Sequence, residues 1–191
     1  APLILWTIRI ACVLYVAAVA SMLLRGPVAR SRWFWTLGCL FYLGHVWAAF
    51  ALAHHWSHQS AWDETARQTE EVFGVPTGSG IWWNYTFTAL WVIDGAWWWG
   101  ASDSYLRRPV WITAVVHGFF AFLFFNGAVV FASGATRWLG VAATVLLVTV
   151  AAGAGWVTTV GAVLPTPMAA DADRPPAVAM IVVLSGATVA V

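Results

Sequence analysis

The sequence predicts an all-α fold, a polytopic integral membrane helical bundle of five or six transmembrane helices with one amphipathic helix at the interface. Three observations predict it. Of 191 residues, 61% are apolar and 9% charged, about a third of the charged fraction of a soluble domain. The apolar residues gather into runs of about 20, the length that crosses a hydrocarbon layer of about 30 Å. The one extended polar stretch, residues 56–80, repeats its apolar side chains at helical spacing. Residues 1–191 are therefore expected to form a single transmembrane domain. A net charge of +1, from nine Arg, no Lys and eight acids, lacks the basic surface that nucleic acid requires, which excludes that partner class.

The first span is expected at 3–24. It contains Arg9, and a run of that length with a charge inside reads as a true span rather than a signal-peptide core. The second is expected at 33–55, the third at 81–100, the fourth at 110–132 and the fifth at 138–163. A short sixth run, 177–191, follows Asp171, Asp173, Arg174 and the Pro175–Pro176 pair, a helix-start signal. Between the second and third spans, Ala61, Trp62, Ala66, Thr69 and Val72 or Phe73 recur at spacings near three and four, as in a helix lying along the interface. Cys12 and Cys39 fall in separate apolar runs and read as packing residues.

Orientation follows from arginine, because cytoplasmic loops carry the basic excess. Arg25, Arg30 and Arg32 occupy the first connection and Arg107 and Arg108 the third, whereas Arg67 stands among Asp63, Glu64, Glu70 and Glu71. The N-terminus and residues 56–80 are expected on the non-cytoplasmic side, in a bacterial inner membrane.

Ionisable groups inside spans are costly and mark candidate sites. Here they are Arg9, His45, Asp94 and His117. Counting 1.5 Å per residue from the cytoplasmic side puts Asp94 at about 9 Å, His117 at about 12 Å and His45 at about 18 Å. Asp94 beside His117 would make a buried pair that fixes helix register, with His45 near the same level. A sharper alternative takes His45 and His117 as axial ligands of haem b, walled by Phe119, Phe120, Phe122, Phe124 and Phe125, since two imidazoles in a dry pocket suit a membrane haem. Arg9 either snorkels to the interface or clamps a lipid or quinone head group with its planar fork of donors.

The densest constellation is His54-His55-Trp56-Ser57-His58 with Asp63 and Glu64. On a continuous helix His54 and His58 face one way, and with Asp63 they compose a candidate Zn or Cu site. The zinc-protease glutamate is absent from it, and no Ser-His-Asp arrangement, phosphate loop or CxxC pair occurs in the chain.

With 15 Trp and no complete catalytic set, the chain is expected to be an accessory subunit packing against other integral membrane subunits and lipid in a respiratory or photosynthetic electron-transfer complex. Large aromatic faces there fit against helices, pigment or quinone. The alternatives are a haem-carrying redox subunit, a transporter built on Arg9, Asp94 and His117, and a metal-dependent enzyme at His54, His58 and Asp63.

Overall fold

The computed structural model describes residues 2–163, and the side chains of residues 2–155. Among these residues all regular structure is helical, and the run at 177–191 lies outside them. The first helix, α1 (Pro2–Leu23), starts on a proline, whose fixed φ suits the first helical turn. It ends in a tight reversal: Arg25 adopts a left-handed φ of 54°, and Gly26 N–H donates to Ser21 O at 2.7 Å. Pro27 then opens α2 (Val28–Leu52), so the second helix begins five residues ahead of the apolar run and carries Arg30 and Arg32 in its first turns. α1 and α2 pack along most of their length. Ala11, Ala18 and Ala48 are almost wholly buried, and these small side chains permit the close approach.

α2 stops at Leu52. His55 and Trp56 both take left-handed backbone conformations, φ 47° and 58°, which turn the chain into α3 (His58–Phe73). Ser57 caps α3 by accepting from Ser60 N–H at 3.2 Å, and Gly74, φ 73°, ends it, the usual pairing of a hydroxyl cap with a terminal glycine. Arg67 pairs on the exposed face with Glu64 at 2.6 Å and with Glu71. The Arg67 hydrogen bond holds the Glu64 carboxyl below its ordinary range.

α4 (Gly80–Gly100) runs antiparallel to α2. Tyr85 faces Phe50 at 6.4 Å between ring centroids, Trp91 meets Trp35 at 5.4 Å, and Trp99 meets Trp33 at 5.1 Å. Trp99 also donates to Thr36 Oγ1 at 2.8 Å. These contacts follow α2 from one end to the other. A short α5 (Ser102–Leu106) leads through Pro109 into α6 (Val110–Phe125), which continues as a π turn, Asn126–Val130. Gly134, φ 56°, is the first residue of the long α7 (Gly134–Val163).

Four segments are long and apolar enough to cross a membrane: Pro2–Leu23, Val28–Leu52, Val110–Val130 and Gly134–Gly155. α4 is of similar length, but six tryptophans, Asn84 and Asp94 lower its mean hydropathy. The core joins α1, α2, α4 and α6 through Tyr15, Trp35, Phe87, Trp91 and Phe120. Phe87 and Phe120 lie 4.4 Å apart and Trp35 and Phe120 5.0 Å apart, spacings at which tilted aromatic pairs attract beyond their area burial.

α7 is seated differently, against α1 and the π turn. At Gly140 a Cβ would drive into the backbone carbonyl of Ala128, so this contact needs a glycine. Gly140→Ala is expected to destabilise the protein by about 1–3 kcal/mol through overpacking. Gly153→Ala, where a Cβ meets nothing, is expected to be neutral or stabilising by up to about 1 kcal/mol from helix propensity. Thermal unfolding in detergent, followed by circular dichroism, separates the two.

Candidate functional site

A buried polar network sits where α4, α5 and α6 converge. Pro109 disfavours helix at the residue before it, so the chain leaves α5 at Arg107 and Arg108 turns its side chain inward. The Arg108 and Asp94 side chains are only 1% and 5% exposed. Arg108 Nη1 donates to Asp94 Oδ1 at 2.5 Å, Nε donates to Thr113 Oγ1 at 2.9 Å, and Nη2 lies 3.2 Å from His117 Nε2. Tyr105 donates its hydroxyl to the second carboxylate oxygen of Asp94 at 2.9 Å. The guanidinium carbon stands 4.0 Å from the Tyr105 ring centroid, and that ring stacks on Trp98 at 4.6 Å.

Chemically, this is a neutralised charge pair with both carboxylate oxygens and all three guanidinium nitrogens engaged. Charge-assisted hydrogen bonds of this kind are the strong ones. Burial pushes the Tyr105 phenol well above its ordinary range, which keeps it a donor. Thr113 and His117 lie one turn apart on α6 and present their polar atoms to the same guanidinium. Because Arg108 can only donate, neutral His117 accepts at Nε2 and carries its proton on Nδ1. Nδ1 is buried without a hydrogen-bond partner, and the ring edge rests on Trp35 at 5.2 Å.

Asp94 and His117 thus meet through Arg108, which sequence reading treated only as a loop charge that sets orientation. A signal for it exists: an aspartate six residues inside a helix end requires a cation, and the next arginines along the chain are Arg107 and Arg108. Tyr105 and Thr113 carry no comparable signal, since either side chain is ordinary where it stands.

His45 is not part of this network. Its Nδ1 lies 2.9 Å from the Ile4 carbonyl oxygen and links α2 to the first turn of α1. It stands ten residues along α2 from Trp35, the residue against His117, a separation of about 15 Å along a helix axis. Two axial ligands of one iron must approach far more closely, and His117 Nε2 already faces a guanidinium. The expected haem b pocket does not fit these residues. Of its expected walls, Phe120 is buried in the core while Phe122 and Phe125 face outward.

The expected metal constellation is also taken apart by the backbone. His54 and His58 do not share a helix, because the left-handed His55 and Trp56 intervene. His54 Nδ1 lies 3.4 Å from Ser60 Oγ, His58 Nδ1 lies 2.8 Å from Tyr85 OH, and Asp63 accepts from Gln59 Nε2 at 2.8 Å. Among the described residues no group of three His, Cys, Asp or Glu side chains is placed to hold a metal, so Zn and Cu have no ligand set there. Below the His58–Tyr85 pair an open apolar cleft of about 440 Å³ runs between α2 and α4, lined by Val46, Tyr85, Thr88, Ala89, Val92 and Ile93.

Arg9 lies at the opposite end of the bundle from Arg108. Its Nη2 donates to Thr136 Oγ1 in the first turn of α7 at 3.3 Å, and the guanidinium carbon is 5.5 Å from the Trp6 ring centroid.

Comparison with protein-family models, curated proteins and solved structures finds no match to this chain. The site is therefore read from its own geometry, which is that of a clamp holding α4 to α6. Asp94→Ala, which strands the buried guanidinium, is expected to destabilise the fold by about 3–5 kcal/mol. The double variant Asp94→Leu/Arg108→Met is expected to lose less than the sum of its single changes. Unfolding measured over the full double-mutant cycle reports that coupling; additive losses would show that the pair contributes no joint energy.

Proposed function

We propose that this chain is a non-catalytic integral membrane subunit that packs through α7 against helices of a larger membrane assembly. The observation that carries the reading is the coverage of α7. Only 6% of its most apolar window is buried within the fold, against 17–22% for the other three apolar segments. Trp138, Ala142, Val145, Thr149 and Ala152 are exposed and recur at helical spacing, a stripe of mostly modest side chains along which another helix can approach closely.

In this reading the protein has five spans: α1, α2, α4, α6 with its π turn, and α7. The inclusion of α4, which is not among the four apolar segments, is supported by its antiparallel contact with α2 along the whole helix; a helix so aligned crosses whatever layer its neighbour crosses. Its aspartate is tolerable there because Arg108 neutralises it. The amphipathic α3 lies in the outer interface, with Trp56, Trp82 and Trp83 exposed at the same end as an aromatic belt. The N-terminus and α3 face the non-cytoplasmic side of a bacterial inner membrane, opposite Arg25, Arg30, Arg32 and Arg107.

A redox subunit carrying its own haem is disfavoured by the separation of His45 from His117. A transporter is disfavoured because Arg9 and the Arg108 network occupy opposite ends, with the aromatic core between them. An electron-transfer complex remains the host class suggested by the tryptophan-rich surface, on which pigment or quinone rings can stack.

Three measurements test the reading. A photo-crosslinker at Val145 in native membranes is expected to yield one discrete protein adduct that is lost in Ala142→Leu and Ala152→Leu, while the same group at Val115 on α6 labels lipid; lipid-only adducts from Val145 would overturn it. The visible spectrum of the assembly extracted in mild detergent then checks the host class. Side-specific labelling is expected to place a cysteine at residue 67 opposite one at residue 25.

A further inference from the structure

A second feature concerns charge, and it does not depend on whether α7 carries a partner. Arg9 stands seven residues inside α1, about 10 Å below the helix end. It is held at that depth. Nη2 is tied to Thr136, the Trp6 ring lies alongside, and Nε is buried without any hydrogen-bond partner. Both contacts lie toward the outer end of the bundle, Trp6 one turn nearer the start of α1 and Thr136 in the first turn of α7, so the guanidinium is fixed at the level where α7 begins.

Among the described residues the ion pairs are Arg67 with Glu64 and Glu71, and Arg108 with Asp94. Arg9 belongs to neither group. The contrast with Arg108 is physical: both arginines lie within the helical bundle, one is neutralised by a carboxylate, and the other has only a hydroxyl and a ring face. A charge away from water without an opposite charge beside it is costly. The side chain is half-buried. Beside it the first turn of α7 contributes backbone N–H groups that have no partner within the helix.

We propose that Arg9, with Thr136 and the first turn of α7, holds the phosphate of an anionic phospholipid in the leaflet at the α3 end. The phosphate supplies the missing negative charge, its oxygens match the planar donor fork, and its acyl chains lie along the apolar side chains that α1 and α7 leave exposed.

Native mass spectrometry of the full chain, released from nanodiscs of phosphatidylcholine with and without phosphatidylglycerol, tests this. The expected result is one retained phosphatidylglycerol per chain. Retention is expected to fall about tenfold or more in Arg9→Gln, the loss of a charge-assisted contact, and to fall less in Arg9→Lys and Thr136→Val. Arg25→Gln, at the opposite end, is expected to leave it unchanged. Unaltered circular dichroism of each variant secures the comparison. Equal retention in wild type and Arg9→Gln, equal retention of phosphatidylcholine, displacement of the lipid by inorganic phosphate, or a retained neutral quinone in its place would each overturn the proposal.

Discussion

The buried pair Arg108–Asp94 is the constraint on which the junction of α4, α5 and α6 depends. An ion pair out of water is favourable only when geometry and further hydrogen bonds repay its desolvation. Here Tyr105 takes the second carboxylate oxygen and Thr113 and His117 take the remaining guanidinium edges. To satisfy all of these at once, α4, α5 and α6 must adopt one mutual arrangement. The pair therefore fixes register between helices whose apolar surfaces alone would allow several.

Beyond the network, packing is aromatic. Tyr15, Trp35, Trp91, Phe87 and Phe120 form one connected cluster across four helices, and alanines at 11, 18 and 48 bring α1 and α2 together. Between membrane helices the hydrophobic effect does not discriminate neighbour from lipid, so shape, ring geometry and a few polar contacts decide who packs against whom. Two hydrogen bonds reinforce the α2–α4 pairing: Trp91 Nε1 to Trp35 O at 3.2 Å and Trp99 Nε1 to Thr36 Oγ1 at 2.8 Å.

The helical character of the chain was legible because apolar runs, prolines at 27 and 109 and the glycine at 74 all mark it in one dimension. Depth counting also brought Asp94 and His117 to a common level, since rise per residue is a property of the helix alone. It misjudged His45, because α2 begins five residues ahead of the apolar run, so a count from residue 33 drew that histidine too close to the level of His117, and its side of α2 turns to α1. The histidine cluster was misread for another reason. Spacing of four implies a shared face only while the helix continues, and no Gly or Pro between residues 53 and 57 announces the reversal at His55 and Trp56. Arg108 was missed because its place in a connection made it look solvated, whereas its side chain is long enough to reach back under the helix ends.

The order of the network along the chain has a consequence for biogenesis. Asp94 precedes Arg108 by 14 residues, so a ribosome delivers the carboxylate to the translocon before the arginine that neutralises it. α4 is also the long helix among the described residues that falls short on apolarity. In the five-span arrangement proposed above, its lateral release into lipid is therefore coupled to what comes before and after it: the α1–α2 hairpin offers an aromatic wall, and synthesis must proceed through Pro109 before the charge is matched. Such a helix enters the bilayer as a late, assisted passenger rather than by its own partitioning.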